Sequence, residues 1–173
     1  MLEIRRLTST EEFDALEPIW NKLAESAEFV TVFQTFEWLH SWWQSFGSNH
    51  ELNILTVYDG EKLIGIAPLM LTRLRRFGRK CRSIQFIGTP DSDYHDFIGA
   101  EKKLIADAVI DHLLGRQSEW TDIDLDQVSE RTPTAQILSE RLAQIDHPVR
   151  EQKSEECLAY VFEGLVTMLP VVS

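Results

Sequence analysis

The sequence has few cysteines and few cations, and each shortage excludes a class of protein. Among 173 residues there are two cysteines, Cys81 and Cys157, far apart in the chain. Such a pair indicates neither a disulfide framework nor a metal site, so we expect free thiols of a reducing compartment. Lysine and arginine number 17 against 28 acidic residues, a net charge of −11. Because phosphate binding needs a basic surface, nucleic acid is not expected as a partner.

Long apolar runs are also missing. No stretch approaches the roughly 20 apolar residues of a membrane-spanning helix. Residues 1–6 lack the apolar core of a signal peptide. Repeats, low-complexity tracts and linkers are absent from the sequence, whereas 43% of the residues are apolar, enough for a sizeable core. We therefore expect a soluble, cytoplasmic protein of one domain.

The centre of the chain, from Leu52 to Ile98, predicts antiparallel strands. One apolar run ends at Asp59-Gly60, and a second run follows at 63–69. Two β-rich runs joined by Asp-Gly are the strongest short-range hairpin signal, because that turn needs positive φ at its central residues. Gly65 indicates a bulge or a close backbone approach, and Pro68 indicates an edge or a bulge.

Helices are expected on both sides of these strands. Ser9 and Glu12 form a capping box before the first helix, which Pro18 kinks or restarts. Thr35 caps a second helix that ends at Gly47. The other elements are expected as follows: strands at 2–7 and 83–87, a helix at 101–114, a strand at 120–128, a helix opening at Thr132-Pro133, and strands at 149–152 and 158–162.

That element order is the order of the GNAT acyltransferase fold, and the resemblance extends to motifs. Three segments resemble the CelD-like, or BioF2-like, acetyltransferases: Phe36 to Gly47, with the family's F-x-x-x-W...FG pattern, Asp59 to Leu69, with its G...GxxPL hairpin, and Phe86 to Asp96, with its FlG...sDYxD segment. Asp124-Leu125 and Cys157-Leu158 also fall in the expected order. The match covers about Thr31 to Tyr160.

The resemblance implies an α/β fold in which helices flank a mixed, mostly antiparallel sheet. It implies an N-acyltransferase (EC 2.3.1) that moves an acetyl group from acyl-CoA to an amine or sugar-type acceptor, in exopolysaccharide or cell-envelope synthesis. Family members usually contain two GNAT-like halves, and this chain resembles the N-terminal half. We expect residues 1–163 to form one GNAT-like domain and 164–173 an atypical tail. A second GNAT-like half, or a homodimer, is expected to complete it.

Two alternatives to this enzyme remain open. One is a non-catalytic GNAT-like half-domain that binds a substrate or a partner. The other is a Fem-type aminoacyl transferase, which the acidic balance disfavours because its donor is a charged tRNA. The sequence names neither the acyl donor nor the acceptor, which we expect to be a small molecule or a glycan precursor.

The expected CoA loop departs from the motif of GNAT enzymes. That motif, Q/R-x-x-G-x-G/A, lies between the fourth strand and the following helix, where free amides face the pyrophosphate. Residues 98–103 hold a single glycine, and Glu101 stands where the phosphates would approach. We therefore expect acetyl-CoA, or another acyl-CoA, to be bound by the second half, and we expect no metal cofactor.

The segment 91–96 is the first candidate site. The resemblance includes Asp93, Tyr94 and Asp96, which become candidate catalytic residues, since a base must take the proton of the attacking amine and a tyrosine can protonate the leaving thiolate. His95 is a candidate substrate ligand. The alternative is a turn whose aspartates cap backbone amides.

The second candidate is a basic segment with six cations among residues 73–82. Arg75, Arg76 and Arg79 are candidates to bind an acidic polysaccharide precursor or a phosphate-bearing carrier. The alternative is a solvated hairpin tip.

Two further patterns have simple alternatives. Trp38 and Trp42 are candidates for an aromatic substrate wall, or for a helix buried on two sides. Asp122, Asp124 and Asp126 alternate along a strand, but no histidine or cysteine accompanies them, so we expect a wet strand face and reject a metal site.

Overall fold

A computed structural model of the chain describes residues 2–76 and 78–144. The strands expected at 149–152 and 158–162, the tail 164–173 and Cys157 lie outside these residues. Cys81 is a free thiol. No helix in the described ranges is long and apolar enough to cross a membrane.

The secondary structure follows the expected order. The strands are β1 (Leu2–Leu7), β2 (His50–Leu52), β3 (Ile54–Asp59), β4 (Lys62–Ala67), β5 (Leu69–Arg76), β6 (Arg79–Phe86) and β7 (Asp122–Ile123). The helices are α1 (Thr10–Asp14), α2 (Glu17–Glu25), α3 (Phe36–Phe46), α4 (Lys102–Leu114) and α5 (Thr134–Leu142).

The strands form two adjacent sheets, one antiparallel with three strands and one mixed with four, where the sequence predicted a single mixed sheet. One part has the order β1-β3-β4 and the other β2-β5-β6-β7. The chain passes from β2 to β3 at Asn53 and from β4 to β5 at Pro68, and the Asn53 amide donates to the Leu69 carbonyl at 3.0 Å. Pro68 therefore lies at a break in pairing, as a residue without an N–H should. The β6–β7 pair alone is parallel among these strands.

Helices cover both faces of the sheet. On one face α1 to α3 bury Phe13, Trp20 and Leu39, and on the other face α4 buries Ile105 and Val109. Each large apolar side chain that folding removes from water contributes about 1.5–3 kcal/mol. The two helical layers thus hold the sheet rigidly between them.

Local signals in the N-terminal helices are confirmed. Ser9 and Glu12 make the reciprocal hydrogen bonds of a capping box. Pro18 restarts the helix, because it lies in the first turn of α2, where its missing N–H costs nothing. The side chain of Thr35 accepts from the backbone of α3, and Gly47 ends that helix.

The hairpin between β3 and β4 is confirmed, with both features expected of its glycines. Gly60 in the turn has φ +60°. Val57 pairs with Gly65 but Tyr58 with Leu63, so β4 carries a bulge. A Cβ on Gly65 would also lie 2.4 Å from the Ile105 side chain, so α4 packs directly on this backbone.

Two expected elements were wrong in extent. The strand predicted at 120–128 pairs only over Asp122–Ile123, opposite Ser83 and Ile84 of β6, and Gln127 takes φ +52°, which departs from strand geometry. Thr132 does not cap α5, which begins at Thr134, because the Thr132 hydroxyl bonds to a nearby carbonyl instead.

Replacing Gly99 with alanine should destabilise the fold more than the same change at Gly78. Both residues have positive φ, +124° and +76°. A Cβ on Gly99 would lie 2.4 Å from the Ile64 carbonyl oxygen, whereas a Cβ on Gly78 meets none of the described atoms within 4 Å. We expect urea unfolding to show an extra loss of about 2 kcal/mol for Gly99→Ala. Equal losses would contradict this packing.

Candidate functional site

The candidate loop, residues 88–96, leaves the sheet at the carboxyl end of the parallel pair β6–β7. It begins at Gly88, whose φ of +107° turns the chain away from β6. The amide of Asp91 donates to the Gly88 carbonyl at 2.7 Å, which closes this turn. Carboxyl ends of neighbouring parallel strands are where open α/β sheets bind ligands, so the loop occupies a position suited to a site.

Three donors on α3 and the segment before it hold the candidate loop. They are spaced four residues apart and pair as follows: Gln34 Nε2 with Tyr94 O at 2.8 Å, Trp38 Nε1 with Ser92 Oγ at 2.8 Å, and Trp42 Nε1 with Asp91 Oδ2 at 3.0 Å. Trp38 and Trp42 lie on one face of α3, because they are four residues apart, whereas Gln34 belongs to the turn before the helix. Trp42 is buried and Trp38 half-buried. Both indoles therefore position the loop, and their binding of substrate stays a prediction.

His95 fills the space between β6 and the segment that follows β7. Its side chain is 2% exposed, and its ring stacks on Phe86 with centroids 5.0 Å apart. Nδ1 lies 3.2 Å from Oδ1 of Asp126, which also accepts the Thr89 hydroxyl at 2.9 Å. Nε2 is buried without a hydrogen-bond partner among the described residues. Because the ring is enclosed, His95 cannot contact a ligand in this conformation.

Asp126 is the site residue that sequence reasoning missed. Its alternation with Asp122 and Asp124 was visible, but the wet face expected for them is wrong. The three carboxylates are half-buried and accept hydrogen bonds from the neighbouring strand and loop: Ser83 to Asp122 at 2.5 Å, Gln85 to Asp124 at 3.5 Å, and Thr89 to Asp126 at 2.9 Å. The parallel pairing of β7 with β6 places these three carboxylates beside β6 and the candidate loop. The sequence does not show which residues of the two strands are paired. No group of three or more metal-ligating side chains is found in the described ranges.

Asp96 is buried in a polar cluster that joins the loop to both later helices. Lys102 Nζ at the start of α4 lies 2.8 Å from Oδ2. The Thr134 hydroxyl at the start of α5 donates to Oδ1 at 2.6 Å, and the Phe97 amide donates to it at 2.7 Å. Asp96 is 1% exposed. We interpret it as a structural residue, since these contacts do not support the catalytic role expected for it.

Asp93 and Tyr94 are the two candidate catalytic residues that reach the surface. Asp93 is exposed and Tyr94 half-buried. Tyr94 adopts φ +56°, which is uncommon for a residue with a Cβ and often marks a functional constraint. Its ring lies edge-on to Phe29, with centroids 6.1 Å apart, and next to Phe33 at 6.5 Å. A carboxylate thus stands beside a partly exposed aromatic cluster.

The described residues do not fit the pyrophosphate of CoA. Gly99 is pressed against the Ile64 carbonyl, where a Cβ would come within 2.4 Å, so its backbone faces β4. Lys102 turns its ammonium group inward to Asp96 instead of outward to a phosphate. Glu101 occupies the cap position of α4, where its charge opposes an anion.

The basic segment lies at the opposite end of β6 from the candidate loop. β6 runs from Arg79 to Phe86, so about 23 Å of strand separates the two regions. Arg75 and Arg79 are exposed, and Arg76 pairs with Arg79 in the backbone register. The structure therefore does not bring these three arginines together with Asp93 and Tyr94, and one small substrate cannot contact both groups.

Replacing Asp126 with asparagine should reduce the acid sensitivity of the fold. Burial raises the pKa of Asp126, but hydrogen bonds from His95 and Thr89 outweigh burial and hold the pKa below its ordinary value. A lowered folded-state pKa gives stability that is present above the unfolded pKa and lost as the pH falls.

We therefore expect the free energy of urea unfolding to fall less for Asp126→Asn than for the parent between about pH 5 and pH 3. Thr89→Val, which removes one donor and keeps the carboxylate, should show an intermediate slope. The same slope in all three proteins would show that these hydrogen bonds do not shift the pKa.

The structure resembles solved acetyltransferases along most of its length. A ribosomal-protein-alanine N-acetyltransferase from Brucella melitensis biovar Abortus 2308 superposes with a TM-score of 0.55 at 16% identity, covering 92% of this chain and 100% of that one. An aminoglycoside acetyltransferase from an uncultured soil metagenomic sample gives 0.54 at 16% identity, covering 93% and 99%. An integron cassette protein of V. cholerae gives 0.51 at 15% identity, covering 91% and 93%.

Sequence comparison adds no relative to these structures. No protein-family model matches the chain, and no curated protein does. At such low identity the likeness concerns the fold, which agrees with the element order predicted from the sequence. The chain has the fold of the GNAT acetyltransferases.

Proposed function

We propose that the chain provides the acceptor-binding side of an acetyl transfer from acyl-CoA to an amine or sugar-type acceptor. The observation that carries this proposal is the candidate loop, which three side-chain donors hold at the carboxyl end of the parallel strands. A loop fixed on a rigid scaffold is where binding residues are typically placed. The fold, shared with solved acetyltransferases, supports the reaction class by analogy.

Asp93 and Tyr94 supply the chemistry that such an acceptor needs. The exposed carboxylate of Asp93 can accept hydrogen bonds from an ammonium group or from sugar hydroxyls. The ring of Tyr94, with Phe29 and Phe33, offers an apolar surface for the carbon skeleton. The guanidinium of Arg131 lies over the Phe29 ring, 4.6 Å from its centroid, and borders this surface with positive charge. An amino sugar fits this combination when its amine contacts Asp93 and its hydroxyl groups face Arg131, since the guanidinium repels an ammonium group.

The acyl donor is held elsewhere in this proposal. Residues 98–103 do not fit a pyrophosphate, so we assign acyl-CoA binding to a second GNAT-like half or a partner copy. A role in exopolysaccharide or cell-envelope synthesis is part of the proposal, and it rests on the resemblance to the CelD-like acetyltransferases.

A non-catalytic half-domain is the second candidate, and one observation favours it. His95, Thr89 and Asp126 occupy the space between β6 and the segment after β7. In a GNAT-like sheet the gap between these two strands is where acyl transfer takes place. A chain that fills this gap with its own side chains would bind an acceptor or partner without catalysing the reaction.

The chain by itself should bind acetyl-CoA weakly or not at all. The buried ammonium of Lys102 and the enclosed backbone of Gly99 leave the phosphates without their usual donors. Isothermal titration calorimetry should give a dissociation constant weaker than about 10 μM, a binding free energy of under about 7 kcal/mol. Tighter binding would show that the chain holds its own CoA site.

Asp93→Asn should weaken acceptor binding without weakening the fold. In a ligand-observed NMR titration with glucosamine, we expect about tenfold lower affinity, because a hydrogen bond to a charged group is lost. Tyr94→Phe, which keeps the ring, should have a smaller effect. Asp59→Asn, an equal charge change in the distant β3–β4 hairpin, is the matched control.

The opposite pattern would show that the loop is only a turn. In that case Asp93→Asn would lower the melting temperature and leave glucosamine affinity per folded molecule unchanged. Acetyl transfer to glucosamine, measured after the CoA-binding partner is supplied, separates the two candidate functions, since the non-catalytic half-domain leaves the rate at background.

A further inference from the structure

The β5–β6 hairpin places cations opposite cations. We call residues 73–82 the basic hairpin, and its backbone register pairs like charges three times: Arg73 with Arg82, Arg75 with Lys80, and Arg76 with Arg79. Like charges directly opposite each other destabilise an antiparallel pair. Folding alone gives no reason for this arrangement, so the cations require another explanation.

The basic hairpin also contrasts with the rest of the chain. It contains six of the 17 cations and none of the 28 acidic residues, which leaves 11 cations against 28 acids elsewhere. Glu51 on β2 pairs with Arg73 at the base of the hairpin. The basic hairpin is therefore a positive segment in an otherwise acidic sequence.

The shape of the basic hairpin suits a flat partner. Its residues Arg75, Gly78, Arg79 and Lys80 are exposed at a protruding strand end. Successive strand residues point to opposite faces, so Arg75 and Lys80 share one face and Arg79 points to the other. A small ligand in a concave site would contact only one face of the hairpin. A flat anionic surface that the turn touches end-on attracts the cations of both faces.

The cations of the basic hairpin lie close enough to its turn to be attracted by a charged surface that touches the turn. Arg73 is three residues from the end of β5, or about 10 Å along the strand. The Debye length is also about 10 Å at 0.1 M ionic strength. The exposed cations Arg75, Arg79 and Lys80 therefore lie well within the range of an anionic plane that touches the turn, and Arg73 lies at its edge.

We propose that the basic hairpin docks the protein end-on onto an anionic phospholipid bilayer. Clusters of four to eight lysines and arginines are typical of proteins that bind such surfaces. Repulsion of the acidic remainder orients the molecule hairpin first. This proposal does not depend on the function proposed for the candidate loop.

Vesicle co-sedimentation tests the proposal on the intact chain. The protein should sediment with vesicles of equal parts phosphatidylcholine and phosphatidylserine, not with phosphatidylcholine alone, and salt should release it. Lys80→Gln and Arg79→Gln should each weaken binding about fivefold, because a plane attracts both faces equally. Lys62→Gln, an equal change at the exposed start of β4, should leave binding unchanged.

Three results would overturn the proposal. One is the absence of binding to phosphatidylserine vesicles at low salt while the melting temperatures show every variant folded. Another is face-specific loss, in which Lys80→Gln abolishes binding and Arg79→Gln does not. That pattern, or the third result, tighter binding to soluble alginate or duplex DNA than to vesicles, would assign the hairpin to a soluble polyanion.

Discussion

The buried carboxylate of Asp96 is the contact on which the arrangement of the second helical layer depends. It holds Lys102 at the start of α4 and Thr134 at the start of α5, and both belong to elements that follow the loop by several residues or more. Removing one partner of a buried ion pair typically costs about 3–5 kcal/mol, because the other charge stays buried alone. The candidate loop is therefore held at Asp96 by Lys102 and Thr134. It is also held by the hydrogen bonds from Gln34 and from α3. Rigidity of the loop is a property of the whole fold and not of its own sequence.

That rigidity decides which residues can act. The side chains that the loop turns inward, His95 and Asp96, are committed to internal contacts and are almost fully enclosed. Asp93 is exposed, and the side chain of Tyr94 stays half-buried at the surface while its carbonyl accepts the hydrogen bond from Gln34. Beyond the paired residues of β6 and β7, His95 stacks on Phe86 and fills the space beneath the candidate loop. The surface of this region is therefore formed by the loop and not by an open cleft between the strands.

The sequence predicted the features that depend on neighbouring residues and missed those that depend on register. Ser9 and Thr35 indicated where their helices begin, because a capping side chain accepts a hydrogen bond from a backbone amide only three residues later. The hairpin around Gly60 followed from its turn chemistry. The contact between His95 and Asp126 joins residues 31 positions apart, and Trp38 bonds to a serine 54 positions away. Such contacts appear only when the parallel pairing of β6 and the packing of α3 are both known.

β6 sets the distance between the two surfaces to which we assign functions. The candidate loop follows Phe86, and the basic hairpin turns just before Arg79, about 23 Å away. A protein docked by the hairpin would hold Asp93 and Tyr94 well above the headgroups, beyond two Debye lengths of the charged surface. An acceptor reaching that loop must therefore be soluble, or must extend far from its lipid anchor, as a glycan does.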